Sequence, residues 1–260
     1  MQADLLLRQR HAVIQDRLQQ SGRVLAADLA QEFRVSEDTI RRDLREMAAA
    51  GLCERVYGGA LSLATASTSL SERVTVAPQR KVMLAKAAVG FLKTGMTVFI
   101  DAGSTNLAIA KAIPADLHLT VATNTPLIAA AVMDKPGVTL LLIGGKVDRQ
   151  VGAAIGAKAQ RDVEVLRPDL CVLGACGVDI DAGLTAFGFE DAEFKRFVAG
   201  RSVSVLAAVN NEKLGLVGSH AVIPIDACAT LVLEHDAPAA AGDVYGLLGI
   251  TLVRSEPGVA

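Results

Sequence analysis

Through the first sixty residues, apolar positions recur at intervals of three and four. Leu6, Val13, Ile14 and Leu18 suit the inner face of one amphipathic helix, and Leu25, Leu29 and Phe33 that of a second, within GRVLAADLAQEF. A third helix is expected from Ser36: at 100° per residue Ile40, Leu44 and Met47 fall within about 60° of one another. Ser36 is a good N-cap, Glu37 and Asp38 sit where the helix dipole favours negative charge, and Gly51 can take the left-handed turn at the end. LCERVYGG then reads as a short hairpin. From Met96 onward the texture changes. MTVFI, LTVAT, VTLLLIGG, LCVLGACG and SVSVLAAV are short, bulky and nearly uncharged, as strands covered on both faces are, and helical patterns separate several of them. That order predicts a mostly parallel α/β sheet with ligand loops at the carboxyl edge of its strands. The intervening LSLATASTSLSERVTVAP has no sustained helical period and reads as a linker. The expected organisation is a helical domain over 1–60, a linker over 61–76, an α/β domain over 77–254 and a tail over 255–260.

A length of 260 residues fits two folded units. No apolar run approaches the eighteen residues that span a bilayer, and Asp4, Arg8 and Arg10 interrupt the first leucines, unlike a secretory signal. The chain is therefore expected to be soluble and cytoplasmic, with no membrane partner. Cys53, Cys171, Cys176 and Cys228 form no CxxC pair, and the four histidines show no HxxxH spacing, so buried thiols rather than a metal site are expected. No cofactor is called for. The formal charge of −2 does not announce a nucleic-acid partner.

Charge placement says more. Through Ala60 nine arginines balance nine acids, with no lysine. On the third helix Arg41, Arg42 and Arg45 share the exposed face. Glu37 with Arg41, Asp38 with Arg42, and Arg42 with Glu46 are all spaced i,i+4, so a merely solvated helix explains much of the pattern. It does not explain the like-charged pair Arg41 and Arg45, which an external anion would relieve. Arginine's planar fork suits phosphate or the guanine edge, and a capped helix of this length fits the major groove.

The segment VLAADLAQEFRVSEDTIRRDLREMAAAGLCERVYGGA resembles the winged helix-turn-helix of the DeoR family of bacterial transcriptional regulators. The family pattern is matched by Val35, Ser36, Thr39, Ile40, Arg41, Arg42, Asp43 and Leu44, then Gly51 and Leu52, then Arg55, Val56, Gly58, Gly59 and Ala60. Leu25 departs from it, standing where relatives often carry a serine able to cap the second helix. The resemblance implies double-stranded operator DNA as partner. Arg41, Arg42 and Arg45 would contact bases or phosphates, Ser36 and Thr39 would anchor the helix, and Arg55 would reach the backbone from the wing.

In the second half, MTVFI delivers Asp101, Gly103, Ser104 and Thr105 into a helical pattern, an arrangement able to cradle a phosphate and equally able to be a plain connection. Thr123 and Asn124, Gly144 and Gly145, Asp179, and Lys213 end other strands. Several polar loops at one sheet edge suit a phosphorylated sugar or polyol. The segments DAGST, TNTPL, IGG, LGACGVD, GLT, EDAEFKR and NEKLG resemble, in this order, the effector domain of the same family, which shares its fold with ribose-5-phosphate isomerase. Where the family commonly reads DSSKFG, this chain reads Asn210 to Gly215, and Glu212 would repel a phosphate if it faced the pocket. An isomerase using Asp179, Glu190 and Lys213 is the competing reading; the resemblance implies a ligand-controlled repressor without turnover, assembled as a homodimer or homotetramer.

Overall fold

The computed structural model describes residues 7–62, 69–238 and 244–258. The chain divides into two compact units, Met1–Thr68 with Leu216–Gly218, and Ser69–Gly215 with Ser219–Ala260. Leu6, expected on the first helix, lies outside the described residues.

In the N-terminal unit, helices α1 (Leu7–Ser21), α2 (Ala26–Phe33) and α3 (Glu37–Ala49) surround a core of Ile14, Leu18, Leu29, Ile40, Leu44 and Met47. Each of these buried side chains contributes roughly 1.5–3 kcal/mol. Strands β1 (Arg23–Leu25), β2 (Glu54–Val56) and β3 (Gly59–Leu61) form an antiparallel sheet in the order β1-β3-β2. The second helix thus starts later than its apolar period suggests, because Arg23–Leu25 pairs with β3. Leu25 becomes the helix N-cap, makes no side-chain cap and is only half-buried, while Val24 enters the core. Asp28 in the first turn and the packing of Leu29 keep α2 formed without that cap. At the other end of α3, Gly51 adopts φ +69°, and the Leu52 amide reaches back 2.9 Å to the Met47 carbonyl. This left-handed closure turns the chain into the β2–β3 hairpin.

Helix α3 also buries an acid. Asp43 lies on the core side, where the Arg10 guanidinium of α1 grips it in a two-pronged pair, with Nη2 2.9 Å from Oδ1. Both side chains are nearly withdrawn from water.

The C-terminal unit is a three-layer α/β fold. Part of the segment read as a linker, Leu70–Thr75, is helix α4, because Ser69 and Glu72 close a reciprocal capping box that the low charge of the stretch concealed. It is followed by α5 (Pro78–Val89), α6 (Ser104–Ala112), α7 (Pro126–Val132), α8 (Ala157–Glu164) and α9 (Phe189–Arg201). Seven strands, β4 (Thr97–Ile100), β5 (Leu119–Thr123), β6 (Val138–Leu142), β9 (Leu170–Val172), β12 (Ser204–Val209), β14 (Thr230–Leu233) and β15 (Thr251–Arg254), form one sheet ordered β15-β14-β12-β9-β4-β5-β6. All its pairings are parallel. A hairpin, β7 (Val147–Asp148) with β8 (Ala153–Ala154), follows β6, and β10 (Gly177–Asp179), β11 (Gly183–Ala186) and β13 (His220–Ile223) form a small antiparallel sheet. One face of the main sheet packs around Phe99, Cys171 and Phe194, the other around Leu84, Ile109 and Ile128. Cys53, Cys171 and Cys228 are buried and Cys176 is half-buried, all four as free thiols. Among the described residues no helix is long and apolar enough to cross a membrane, and no cluster of side chains could hold a metal ion.

The Arg10–Asp43 pair yields a stability prediction. Asp43→Ala removes the carboxylate that the Arg10 guanidinium grips inside the unit and should cost about 3 kcal/mol in chemical denaturation of the N-terminal unit. Arg10→Met combined with Asp43→Leu should recover most of that loss. Equal stability of Asp43→Ala and the natural chain would contradict this role.

Candidate functional site

The first candidate surface is the outer face of α3. Ser36 caps the helix, its Oγ accepting the Thr39 amide at 3.2 Å and lying 2.9 Å from Thr39 Oγ1. Both hydroxyls are thus engaged at the helix start, where they fix its first turn. Arg41 donates to Glu37 at 2.6 Å and to Asp38 at 3.3 Å, and Arg42 to Glu46 at 3.2 Å. The Asp38 carboxylate therefore serves Arg41 and not, as the i,i+4 spacing suggested, Arg42. Arg45 is exposed on the same face and forms no ion pair among the described residues. Arg55 is exposed on wing strand β2. The burial of Asp43 was not expected from the sequence, although its position about 40° from Met47 on the helical wheel sets an acid at the margin of the core stripe.

The second candidate surface is the carboxyl edge of the parallel sheet, where every strand delivers its following loop. Asp101, just after β4, is wholly buried. Its Oδ2 lies 2.9 Å from Lys195 Nζ on α9 and accepts the Gly174 amide at 3.0 Å. Gly174 must be glycine: a Cβ there would fall 2.2 Å from the Ala102 carbonyl oxygen and 3.0 Å from Asp101 Oδ2. Lys195 also donates to Asp191 at 2.6 Å. Burial alone would lower the lysine's pKa, but the two carboxylates outweigh it and hold the ammonium charged well above its ordinary range. Burial raises the Asp101 pKa against the pull of Lys195. Asp101 Oδ1 and Thr105 Oγ1 are buried without a hydrogen-bond partner among the described residues.

Most of the other predicted residues frame the edge. Thr123 Oγ1 donates to the Ile100 carbonyl at 2.7 Å, tying β5 to β4, and Asn124 Nδ2 holds the Ala154 carbonyl at 3.0 Å. Both are fully enclosed. Gly103 and Ser104 start α6 and are half-buried, Gly144 is half-buried, and Gly145 is exposed. Asp179 Oδ1 caps the β10–β11 turn by accepting the Asp181 and Ala182 amides at 2.9 Å. Glu190 is exposed. Lys213 Nζ donates to the Ala175 carbonyl at 2.6 Å.

The departure at Asn210–Gly215 has a structural counterpart in Glu234, at the end of β14. This buried carboxylate accepts Asn210 Nδ2 at 2.6 Å and the Asn211 amide at 2.9 Å, and pairs with Arg80 of α5. Arg80 also pairs with Glu212, so that acid is neutralised where it stands.

A concentration of positive charge flanks this loop. Lys81 is buried, its ammonium donating to the carbonyls of Arg73 and Val76. Burial, reinforced by the cations of Lys213 and Arg73, lowers its pKa to about 8. Lys213 is lowered as well, first by burial, with Arg73 and Lys195 acting in the same sense. Arg73, Lys81 and Lys195 were not singled out in the sequence, where they lie on three separate helices that only the fold brings together.

Comparison with known proteins agrees with this two-part layout. Residues 10–66 match the DeoR-like helix-turn-helix domain, and residues 76–235 the DeoR C terminal sensor domain. The glycerol-3-phosphate regulon repressor of Escherichia coli is 32% identical over 85% of this chain and 90% of its own. The HTH-type transcriptional regulator GolR of Listeria innocua is 29% identical over 84% of this chain and 87% of its own. Ribose 5-phosphate isomerase A of Methanocaldococcus jannaschii, at 17% identity and a TM-score of 0.39, superposes on 53% of this chain and about half, 54%, of its own. With a sensor-domain match that spans more than half its length and a reader domain ahead of it, the chain belongs to the DeoR family of DNA-binding transcriptional regulators and is not an enzyme.

Proposed function

We propose that the protein represses genes of carbohydrate metabolism from the cytoplasm, as a homodimer or homotetramer, and that a phosphorylated sugar or polyol at the sheet edge sets its affinity for operator DNA. The observation that carries the DNA-contact assignment is the charge arrangement on α3. Glu37, Asp38 and Glu46 occupy Arg41 and Arg42, whereas Arg45 is exposed without an ion pair among the described residues. Arg45 is the base or phosphate contact of first importance. Arg41 and Arg42 exchange acids for phosphates on docking, Ser36 and Thr39 hold the helix start, and Arg55 meets the backbone from the wing.

For the effector, Gly103, Ser104 and Thr105 present the start of α6 to a phosphate, with Gly144 and Gly145 on the neighbouring loop and Lys213 across the edge. Asp101, Thr123, Asn124 and Asp179 shape these loops from within. The cations of Lys81 and Arg73 add long-range attraction for an anion. A repressor among its relatives is named for glycerol 3-phosphate, and this chain is proposed to respond to a metabolite of that chemical class. The ligand shifts DNA affinity by binding one arrangement of the paired reader domains more tightly than another.

Two measurements test these assignments. Arg45→Ala should weaken operator binding by about 1–3 kcal/mol at fixed salt while leaving the melting temperature unchanged. Unaltered affinity for both operator and random DNA would remove Arg45 from the interface. Affinity for glycerol 3-phosphate or ribose 5-phosphate, measured by calorimetry, should fall as pH rises through about 8, because Lys81 then loses the proton that attracts the anion. Lys81→Met should flatten that dependence. A pH profile identical in the natural chain and Lys81→Met would show that Lys81 does not sense the ligand.

A further inference from the structure

Helices α1, α2 and α3 are each followed by a left-handed residue. After α1 it is Gly22, with φ +74°, and after α3 it is Gly51, with φ +69°. After α2 it is Arg34, with φ +54°. The backbone closes in the usual way for such an end: the Val35 amide reaches back 3.0 Å to the Ala30 carbonyl, and the Arg34 amide 3.3 Å to the Gln31 carbonyl. Glycine takes this conformation freely, whereas a residue with a Cβ is crowded by its own following carbonyl. The backbone at this turn therefore disfavours arginine.

The fold makes no use of the side chain. Arg34 is exposed and joins no ion pair or side-chain hydrogen bond among the described residues. The acids nearest to it in the sequence are already engaged, Glu32 by Arg17, and Glu37 and Asp38 by Arg41. A cation does suit the carboxyl end of α2. Arg34 also stands two residues before Ser36, however, where the start of α3 disfavours a positive charge, so the two helix dipoles oppose each other.

Its place in the fold supplies the missing partner. Arg34 lies in the turn that joins α2 to α3, the two helices of the helix-turn-helix. In that motif the second helix enters the major groove while the first crosses the backbone, which sets the turn beside the phosphates that border the groove. We propose that Arg34 is a further DNA contact, a phosphate clamp held out by the left-handed turn. The contact rests on the docking of α3 in the groove and adds a residue apart from both its outer face and the wing. A guanidinium can grip two phosphate oxygens at once. Phosphates carry no base identity, so the clamp strengthens binding to every duplex and contributes nothing to the choice of operator.

Binding of the intact protein to a random-sequence DNA duplex, followed by fluorescence anisotropy across a salt series, tests this. Loss of one phosphate contact makes the log–log dependence of affinity on salt shallower by about 0.9. Arg34→Gly should show that change and bind about tenfold more weakly at low salt. Its melting temperature should stay level or rise, because glycine relieves the left-handed turn. Arg34→Asn, which also tolerates this conformation, should behave alike. A residue that served only the helix end would alter melting and leave the salt dependence untouched. Folded Arg34→Gly and Arg34→Asn with the salt dependence of the natural chain would overturn the clamp. If Arg45→Ala weakens duplex binding while both Arg34 variants do not, the clamp alone falls; if the natural chain binds the duplex with no salt dependence, the docking of α3 falls with it.

Discussion

The sensor unit depends on one buried ammonium. Lys195 sits between Asp101 and Asp191 in the interior, with Asp101 at the end of β4, beside the central strand β9. Removing the ammonium would leave two carboxylates facing each other in a low-dielectric setting, so Lys195 holds the three groups together. Through Asp101 the trio reaches the Gly174 amide, and through Asn106, which donates to the Asp101 and Val172 carbonyls, the ends of β4 and β9 are held together. The loops that follow these strands are positioned from beneath. Loops held in this way are preorganised, so the effector proposed to bind at this edge would meet them with little ordering left to do.

The N-terminal unit uses the same device on a smaller scale. Arg10 and Asp43 lock α1 to the inner face of α3, so the outer face is presented on a rigid helix. Charges inside the fold thus orient the elements, while charges outside await a partner. The acids around Arg41 and Arg42 hold two forks in place, and in the proposed DNA complex phosphate would displace them at the modest cost typical of exposed pairs.

Much of this was legible in the sequence, for identifiable reasons. The buried stripe of Ile40, Leu44 and Met47 and the Ser36 cap are local periodic signals, and both appear where expected. Five of the seven parallel strands were legible as apolar runs, although β6, read as covered on both faces, is an edge strand with exposed leucines; β14 and β15 were not named from the sequence. Strand β1 was not, since three residues carry no period and their pairing with β3 lies more than thirty residues away in the chain. Helix α4 was hidden by a serine-rich composition that masked its capping box. At the sensor edge, polar loop residues were found but their roles were mixed: Thr123, Asn124 and Asp179 spend their side chains on backbone partners. The pairing of Lys195 with Asp101 could not be read, because only the fold brings the two together.

The central claim is that the Asp101–Lys195–Asp191 trio frames a ligand edge whose occupancy alters DNA binding. Its most direct measure is the operator dissociation constant of the intact protein, with and without the phosphorylated sugar or polyol that most raises the melting temperature of the natural chain. The same measurement is then made on Lys195→Met. The account predicts that the natural chain responds to the metabolite, and that folded Lys195→Met binds operator equally well but no longer responds. An undiminished response in Lys195→Met would contradict it.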